Sequence, residues 1–512
     1  MGILDIPGLS KAQGDGRYSF KPRICTLRAN HMGGSTYLNN AGGSAGTYRI
    51  QHVMPAGLRV AAPRALFTNY AGQFRQDLIQ VLAASLEISG LTYQLSFFGA
   101  LTTSLTAGGS VVSDPLGGDL DPAAAPYSRT YISLADATKR WPVGIICNSQ
   151  NGEGSSIGSP GTDLTGGTFG FATGNPTLNT QIAFSPAAII GVPSVNIPAV
   201  ALITDSIGQG TGDSGSSFGA GDTNADFGWC LRALNRKIPY GFISKYGEQA
   251  ATLASTIMYR TRILEFCTHA VCTYGVNDVQ ASASLATLQA NMLKIWLVVA
   301  GRRLPLWQTT LTPVSSSTDN FATVGNQTPH ANNAVRVNFN NWLRAGAPID
   351  PATKLAVAIG TGGALLAGAL GHPLNGYLEV ADQVESARNS GLWKVHATRA
   401  RVLTDGAMSS VSNQTTLNSA SGAFTSADIG RAVTVVGAGG GAGLLLGFIV
   451  ATPSGTTATL SIGAFTTVSS ATVAIGAYTS DGVHPSADGH IAAATAMPTS
   501  TFTATGGYVL AS

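Results

Sequence analysis

Residues 200–208 read Val200-Ala201-Leu202-Ile203-Thr204-Asp205-Ser206-Ile207-Gly208. Four apolar residues in a row, without polar alternation, predict a strand buried on both faces. Asp205-Ser206 follows at once, and then Gly208-Gln209-Gly210-Thr211-Gly212. A serine straight after a strand, in a tight turn leading into glycine-rich sequence, stands where a nucleophile can be presented. Its hydroxyl is weak alone and needs a base within hydrogen-bond reach. The glycine-rich run lacks the Lys-Ser/Thr ending of a phosphate-binding loop, so it reads as part of the same turn.

Downstream of this segment, strands and helices alternate. Residues 228–234, with Trp229, predict an amphipathic helix. Residues 263–271 predict a second buried strand, extended to Tyr274. Residues 284–299 have helical spacing, with Leu285, Leu288, Met292 and Trp296 on one face. Such alternation implies a parallel sheet covered on both faces. Three further spots carry polar chemistry. In Tyr274-Gly275-Val276-Asn277-Asp278, an Asn at the carboxyl edge of a parallel strand can aim its amide at a developing oxyanion. The alternative for Gly-x-Asn-Asp is a helix N-cap, with Asp278 bonding amides of its own loop. In Ile243-Ser244-Lys245-Tyr246-Gly247, a glycine after a strand lets backbone N–H approach a ligand. In Asp481-Gly482-Val483-His484-Pro485, His484 can act as a base while Asp481 fixes its tautomer. The alternative there is a solvent-facing histidine at a helix start. His269, in an apolar run, reads as a core group, and His490 as a residue of the final helix.

The order Ser206, Gly247, Asn277, then Asp481 with His484, resembles the block order of the SGNH hydrolases, also called GDSL esterases. The resemblance covers 196–406 and 477–512, and its specific parts are Gly275-Val276-Asn277-Asp278 and Asp481-Gly482-Val483-His484-Pro485. It implies a flavodoxin-like three-layer α/β/α fold. It implies Ser206 as nucleophile, His484 as general base and Asp481 as its orienting carboxylate. It also implies an oxyanion hole from the Ser206 and Gly247 N–H groups and the Asn277 side chain. This chemistry calls for no cofactor and no metal. Two positions depart from the family pattern. Thr204 stands where glycine usually precedes Asp-Ser, so the turn is either ordinary or strained. Lys245 stands two residues before Gly247, where Asn is often found.

The flanks read differently. Residues 1–30 form an expected connector, in which Leu9-Ser10-Lys11-Ala12-Gln13 and Arg17-Tyr18 resemble a segment near the starts of phage tail-fibre and tailspike chains. Residues 31–195 alternate short apolar runs with turn signals, as a β-sandwich would. Examples are Gly57-Leu58-Arg59-Val60, Leu91-Thr92-Tyr93-Gln94-Leu95, Ser110-Val111-Val112-Ser113 and Arg129-Thr130-Tyr131-Ile132. Val112-Ser113-Asp114-Pro115 and Arg129-Thr130-Tyr131 resemble a β-domain that precedes some bacterial and phage esterases. Residues 407–476, rich in Thr, Ser, Gly and Val, predict a small β-domain inserted in a surface loop between Thr404-Asp405-Gly406 and Ser480-Asp481-Gly482. Within it, residues 424–431 resemble the start of a β-module of phage structural proteins. The window 432–451 is twenty uncharged residues, long enough to span a bilayer, but its six glycines favour strand-turn-strand. Residues 355–370 are similar but shorter.

Composition narrows the function classes. The 512 residues suggest about three domains. Only 11% are charged and the net charge is +3, with basic residues scattered, which argues against a nucleic-acid partner. The 63 glycines follow no Gly-X-Y period, so the chain is not collagenous. Five widely spaced cysteines, with no Cys-x-x-Cys, argue against a disulfide framework or a zinc site. The N-terminus lacks the basic and apolar regions of a secretory signal. The leading expectation is an esterase that removes O-acetyl groups from a bacterial surface polysaccharide. Its expected setting is extracellular, on a virion surface. There it would be a homo-oligomer, a trimer in particular, joined to other virion proteins through its N-terminal segment. One alternative is a catalytically decayed glycan-binding virion protein or adhesin. Another is a secreted bacterial carbohydrate esterase or lipase, although the polar sequence 210–222 does not resemble an apolar lid.

Overall fold

The computed structural model describes residues 21–27, 31–32, 36–37, 43–70, 77–121, 126–147, 152–158, 161–166, 182–213 and 228–503. The tail-fibre-like residues 9–18 lie outside these, as do 214–222. Within the expected connector, Arg23–Ile24 is a strand paired antiparallel to Gly191 and Ile190.

The central sheet holds β1 (Val200–Thr204), β2 (Tyr240–Ser244), β3 (His269–Cys272), β4 (Leu306–Thr309) and β5 (Gly376–Leu378). All pair in parallel, in the order β2-β1-β3-β4-β5, and His31–Met32 adds a parallel strand outside β2. Every residue of β1, β2 and β3 is buried, as expected of parallel strands covered on both faces. The covering helices form two groups. One holds α1 (Trp229–Leu234), α6 (Ala381–Val384) and α7 (Ala487–Ala494). The other holds α2 (Ala250–Thr256), α3 (Val276–Gln280), α4 (Leu285–Ala300) and α5 (Asn333–Arg344). Both groups bury residues in one cluster with the sheet, including Trp229, Leu288, Trp296, Trp342 and Ala493.

One expected strand is corrected. Residues 257–266 form a 3₁₀ helix, and β3 begins only at His269. Ile257, Arg260, Thr261, Ile263 and Leu264 are buried at helical spacing. A short apolar run does not by itself distinguish a buried strand from a helix, and here the helix won.

Two antiparallel sheets precede this unit. One orders Arg23–Ile24, Ala188–Pro193, Val60–Thr68 and Ser110–Val112. The other orders Gly154–Gly158, Ala45–Gln51, Tyr127–Ser133, Ile79–Ile88 and Leu91–Gln94. The first is a shared wall. Ala65, Phe67 and Ile189 point into the core between these two sheets. Leu66, Ala188 and Ile190, the alternate residues, point into the core of the parallel sheet. Burial on both faces is why Ala188–Pro193 contains no polar position.

Residues 401–475 form a closed six-stranded barrel. Its order is Arg401–Met408, Thr416–Asn418, Thr457–Leu460, Leu445–Ser454, Ala432–Val435 and Val468–Ile475. Thr404-Asp405-Gly406, expected before the insertion, lies inside its first strand. The window 432–451 supplies two barrel strands, and among the described residues no helix is long and apolar enough to cross a membrane. The barrel's two ends meet in a neck, where Val395 bridges Ala477 and His396 N donates to Gly476 O. Asp488 of α7 clasps the barrel, accepting from Ala432 N at 2.6 Å and pairing with Arg431.

Candidate active site

Parallel pairing puts the loops after β1, β2 and β3 at one edge of the sheet. The chain runs from β1 outward to β2, then back past β1 to β3. This reversal leaves a crevice at the carboxyl ends of β1 and β3, the usual ligand position in open α/β sheets. Ser206 follows β1, Gly247 follows β2 and Asn277 follows β3.

The turn after β1 is unstrained. Thr204 ends the strand, buried, and its Oγ1 hydrogen-bonds Thr273 Oγ1 on the neighbouring strand end at 2.7 Å. Room for Thr204 comes from Gly208: a Cβ there would lie 1.7 Å from Thr204 Oγ1. The glycine expected before Asp-Ser is thus replaced by a Thr–Gly pair four residues apart. Asp205 is buried, and its Oδ1 accepts from Ile207 N at 3.0 Å.

Residues 211–213 and 228–229 are held by partners with no motif to announce them. Asp213 accepts from Gly228 N at 2.6 Å and makes a two-pronged contact with Arg232, both at 2.8 Å. His490 Nδ1 accepts from Trp229 N at 3.0 Å, so its Nε2 carries the proton given to Thr211 O. Burial holds His490 below the ordinary histidine range, hence neutral and structural. His269 is also a core group, against the Trp307 and Phe502 rings, and burial lowers it to about 4.

His484 arrives from the other end of the chain. Asp481 Oδ1 accepts from Val483 N at 2.9 Å and His484 N at 2.8 Å, which folds the turn around its own carboxylate. Gly482 has φ +84°, and a Cβ would strike Ser315 O at 1.8 Å. Its carbonyl accepts from Trp393 Nε1 at 2.9 Å and Ser315 N at 3.0 Å. Thr479 Oγ1 takes Gly482 N and donates to His484 O. The turn therefore has little freedom, although Asp481 itself is exposed.

Together these loops give one chain of contacts. Ser206 Oγ is 2.8 Å from His484 Nε2, and His484 Nδ1 is 2.6 Å from Asp481 Oδ2. Partial desolvation pushes the Asp481 carboxyl upward, but hydrogen bonds from His484 and Val483 outweigh it and leave it below the ordinary aspartate range. An ionised Asp481 accepts from Nδ1–H, which leaves Nε2 free to accept from the serine. The N–H groups of Ser206 and Gly247 make no hydrogen bond among the described residues. Gly247 has φ +64° and sits in an exposed turn.

Asn277 is employed differently from the expectation. Its Nδ2 donates to Asp205 Oδ2 and to Glu248 O, both at 3.1 Å, so both amide hydrogens are committed to neighbouring loops. Asp278 accepts from Ala250 N at 2.8 Å, at the start of α2. Glu248 is locked in turn. Arg260 meets its carboxylate at 2.7 and 2.8 Å, both side chains fully buried, and Tyr274 Oη donates to it at 2.7 Å.

No protein-family model and no curated protein matches the chain. Solved structures overlap it in part. Psychrotrophic esterase EstA from Pseudoalteromonas sp. is 13% identical over 22% of this chain and 60% of its own, with a TM-score of 0.19. AlinE4, an SGNH-hydrolase family esterase, is 21% identical over 23% and 60%, also at 0.19. A family two carbohydrate esterase from Clostridium thermocellum is 10% identical over 58% and 79%, at 0.23. The chain spans 60% of the length of the first two. At these TM-scores none of the three bears on what the site does.

Proposed function

We propose that the protein is a serine ester hydrolase of SGNH type, with Ser206 as nucleophile, His484 as general base and Asp481 as the carboxylate that orients it. The observation that carries this reading is the unbroken contact chain from Ser206 Oγ through both ring nitrogens of His484 to Asp481. Ser206 Oγ attacks the ester carbonyl carbon as its proton passes to His484 Nε2. The oxyanion forms beside the unpaired N–H groups of Ser206 and Gly247, and Asn277 joins by giving up one of its loop contacts. The carbon–oxygen bond to the alcohol then breaks, and the alkoxide takes the proton from Nε2. Water, deprotonated by His484, attacks the acyl-serine, the carbon–Oγ bond breaks, Ser206 Oγ takes the proton back from Nε2, and the acid is released.

The substrate proposed is an O-acetyl ester on a bacterial surface polysaccharide. Ser206 is only 7% exposed, which suits a small acyl group, while the open side at Asp481 suits a bulky alcohol. As part of the same reading, the chain is a trimeric receptor-binding component on a virion surface, supported by the phage-like sequences at 9–18 and 424–431. A monomer in sedimentation at micromolar concentration would count against that assembly. Of the two departures that favour a decayed hydrolase, Thr204 and the Lys245–Gly247 block, the first loses its force, because Thr204 sits without strain beside Gly208.

The test is hydrolysis of p-nitrophenyl acetate by the wild type beside Ser206→Ala, followed by acetate release from an acetylated capsular polysaccharide. Equal rates for the two proteins on both substrates would sink the assignment of Ser206.

A further inference from the structure

A second candidate site involves none of Ser206, Gly247, Asn277, Asp481 and His484. Phe97 and Ala100 exchange both backbone hydrogen bonds, at 2.7 and 3.1 Å, so Phe98-Gly99 is a two-residue hairpin loop. Both loop residues have positive φ, +54° and +83°. Asn or Gly is the favoured residue at the first of these positions, because a bulky side chain is strained there. Phe98 is also 88% exposed, so it gains almost nothing from burial. A strained residue displaying an unburied aromatic ring contributes no stability that would account for it.

The loop is nevertheless held firmly. Asp114 accepts from Phe98 N, Gly99 N and Ser96 Oγ, which commits its carboxylate to presenting Phe98. Phe98 borders a cavity of about 610 Å³, lined also by Thr106, Ser113, Arg64 and Arg262. Arg262 comes from the 257–266 helix, where Glu265 pairs with it. Arg64, on the strand Val60–Thr68, is half-buried, and no hydrogen bond or ion pair holds its guanidinium among the described residues. Asp114 attracts it only from beyond ion-pair distance. A half-buried guanidinium with unused donors, facing a cavity with hydroxyls and an exposed ring, is suited to a planar anion attached to an apolar face.

We propose that this cavity binds an acidic saccharide residue, with its carboxylate on Arg64 and its ring face against Phe98. The unused donors of Arg64 in the lining favour a uronate over a neutral sugar. Binding here does not require catalysis at Ser206. That the bound polymer also carries the ester to be cut rests on the preceding reading.

Titration calorimetry of the full chain carrying Ser206→Ala, so that no ester is consumed, tests this with hexagalacturonic acid and with neutral maltohexaose. The acidic oligomer is expected to bind at least tenfold tighter than the neutral one. Adding Arg64→Gln or Phe98→Ala is expected to weaken it at least tenfold, and Phe98→Tyr to preserve it. Phe98 is so exposed that its replacement leaves the fold intact, which separates lost binding from lost structure. The proposal is overturned by no uptake at millimolar hexagalacturonic acid, by equal binding of both oligomers, or by indifference to both weakening substitutions. Failure of the esterase reading shows instead in the p-nitrophenyl acetate assay.

Discussion

Asn277 Nδ2 and Asp205 Oδ2 are 3.1 Å apart, and this contact joins the loop after β3 to the residue beside Ser206. Asp205→Asn would set two amide groups facing each other there and turn the Asn277 amide out of its present position. The expected result is a fall in kcat/KM for p-nitrophenyl acetate of about 10–100-fold, roughly the cost of one misplaced oxyanion donor or somewhat less. An unchanged rate would show that Asn277 needs no such anchor.

The same aspartate predicts a pH-dependent stability. Burial, the largest influence, raises Asp205 to about 6, against an ordinary 3.8. Between these values the folded chain keeps a proton that the unfolded chain has lost. Its stabilising contribution is therefore full below pH 3.8 and is lost as pH rises through 6. The difference corresponds to about 3 kcal/mol. In thermal melts, the advantage of the wild type over Asp205→Asn should shrink steadily from pH 4 to pH 7. A constant difference would contradict it.

Ser206→Ala should lower ester hydrolysis by about 10³-fold or more without changing the melting temperature by much. Asp481→Asn should keep the turn, since its remaining oxygen still accepts from the N–H groups of residues 483 and 484. It presents an amide to His484 Nδ1, however, and so favours a proton on Nε2, the wrong tautomer. A loss of about 10²–10⁴-fold is expected. Near-wild-type activity in Asp481→Asn would remove that residue from the mechanism.

Gly208 exists for Thr204, and a double-mutant cycle reads this directly. Gly208→Ala should disrupt the turn that carries Ser206 and abolish most activity. Thr204→Gly removes the clashing atoms, so the double variant should recover part of what Gly208→Ala loses. Simple additivity of the two losses would mean that the two positions do not interact.

Arg260→Met leaves the Glu248 carboxylate buried without its cation. A loss of about 3–5 kcal/mol in urea unfolding is expected. A cost under about 1 kcal/mol would show that Tyr274 alone satisfies Glu248.

Much of the parallel sheet was legible because burial on both faces writes itself as an unbroken apolar run, as in Val200–Thr204. The helix Leu285–Ala300 was legible from its spacing, and its Ser284 cap accepts from Thr287 N. The meeting of Ser206, His484 and Asp481 was legible from their order along the chain, since each local pattern by itself left a second reading open. What escaped was settled by distant partners. The 3₁₀ helix 257–266 buries Arg260, which sequence alone cannot pair with Glu248. Trp393 and Ser315 hold Gly482, and His490 fixes Thr211, through contacts that leave no motif. Gly208 was read as one of several loop glycines, because its necessity depends on the position of the Thr204 hydroxyl.

The neck at Val395 and Ala477 bears on how the protein is made. On the ribosome, the loop with Ser206 emerges well before the turn with His484, and the barrel lies between. A growing chain, or one cut short inside the barrel, carries the serine but not its base. Closure of the barrel brings its own two ends together and delivers the segment that follows it to the sheet. Under the proposed mechanism, the base is thus added only after the barrel has been made, and a fragment ending before residue 484 carries Ser206 without it.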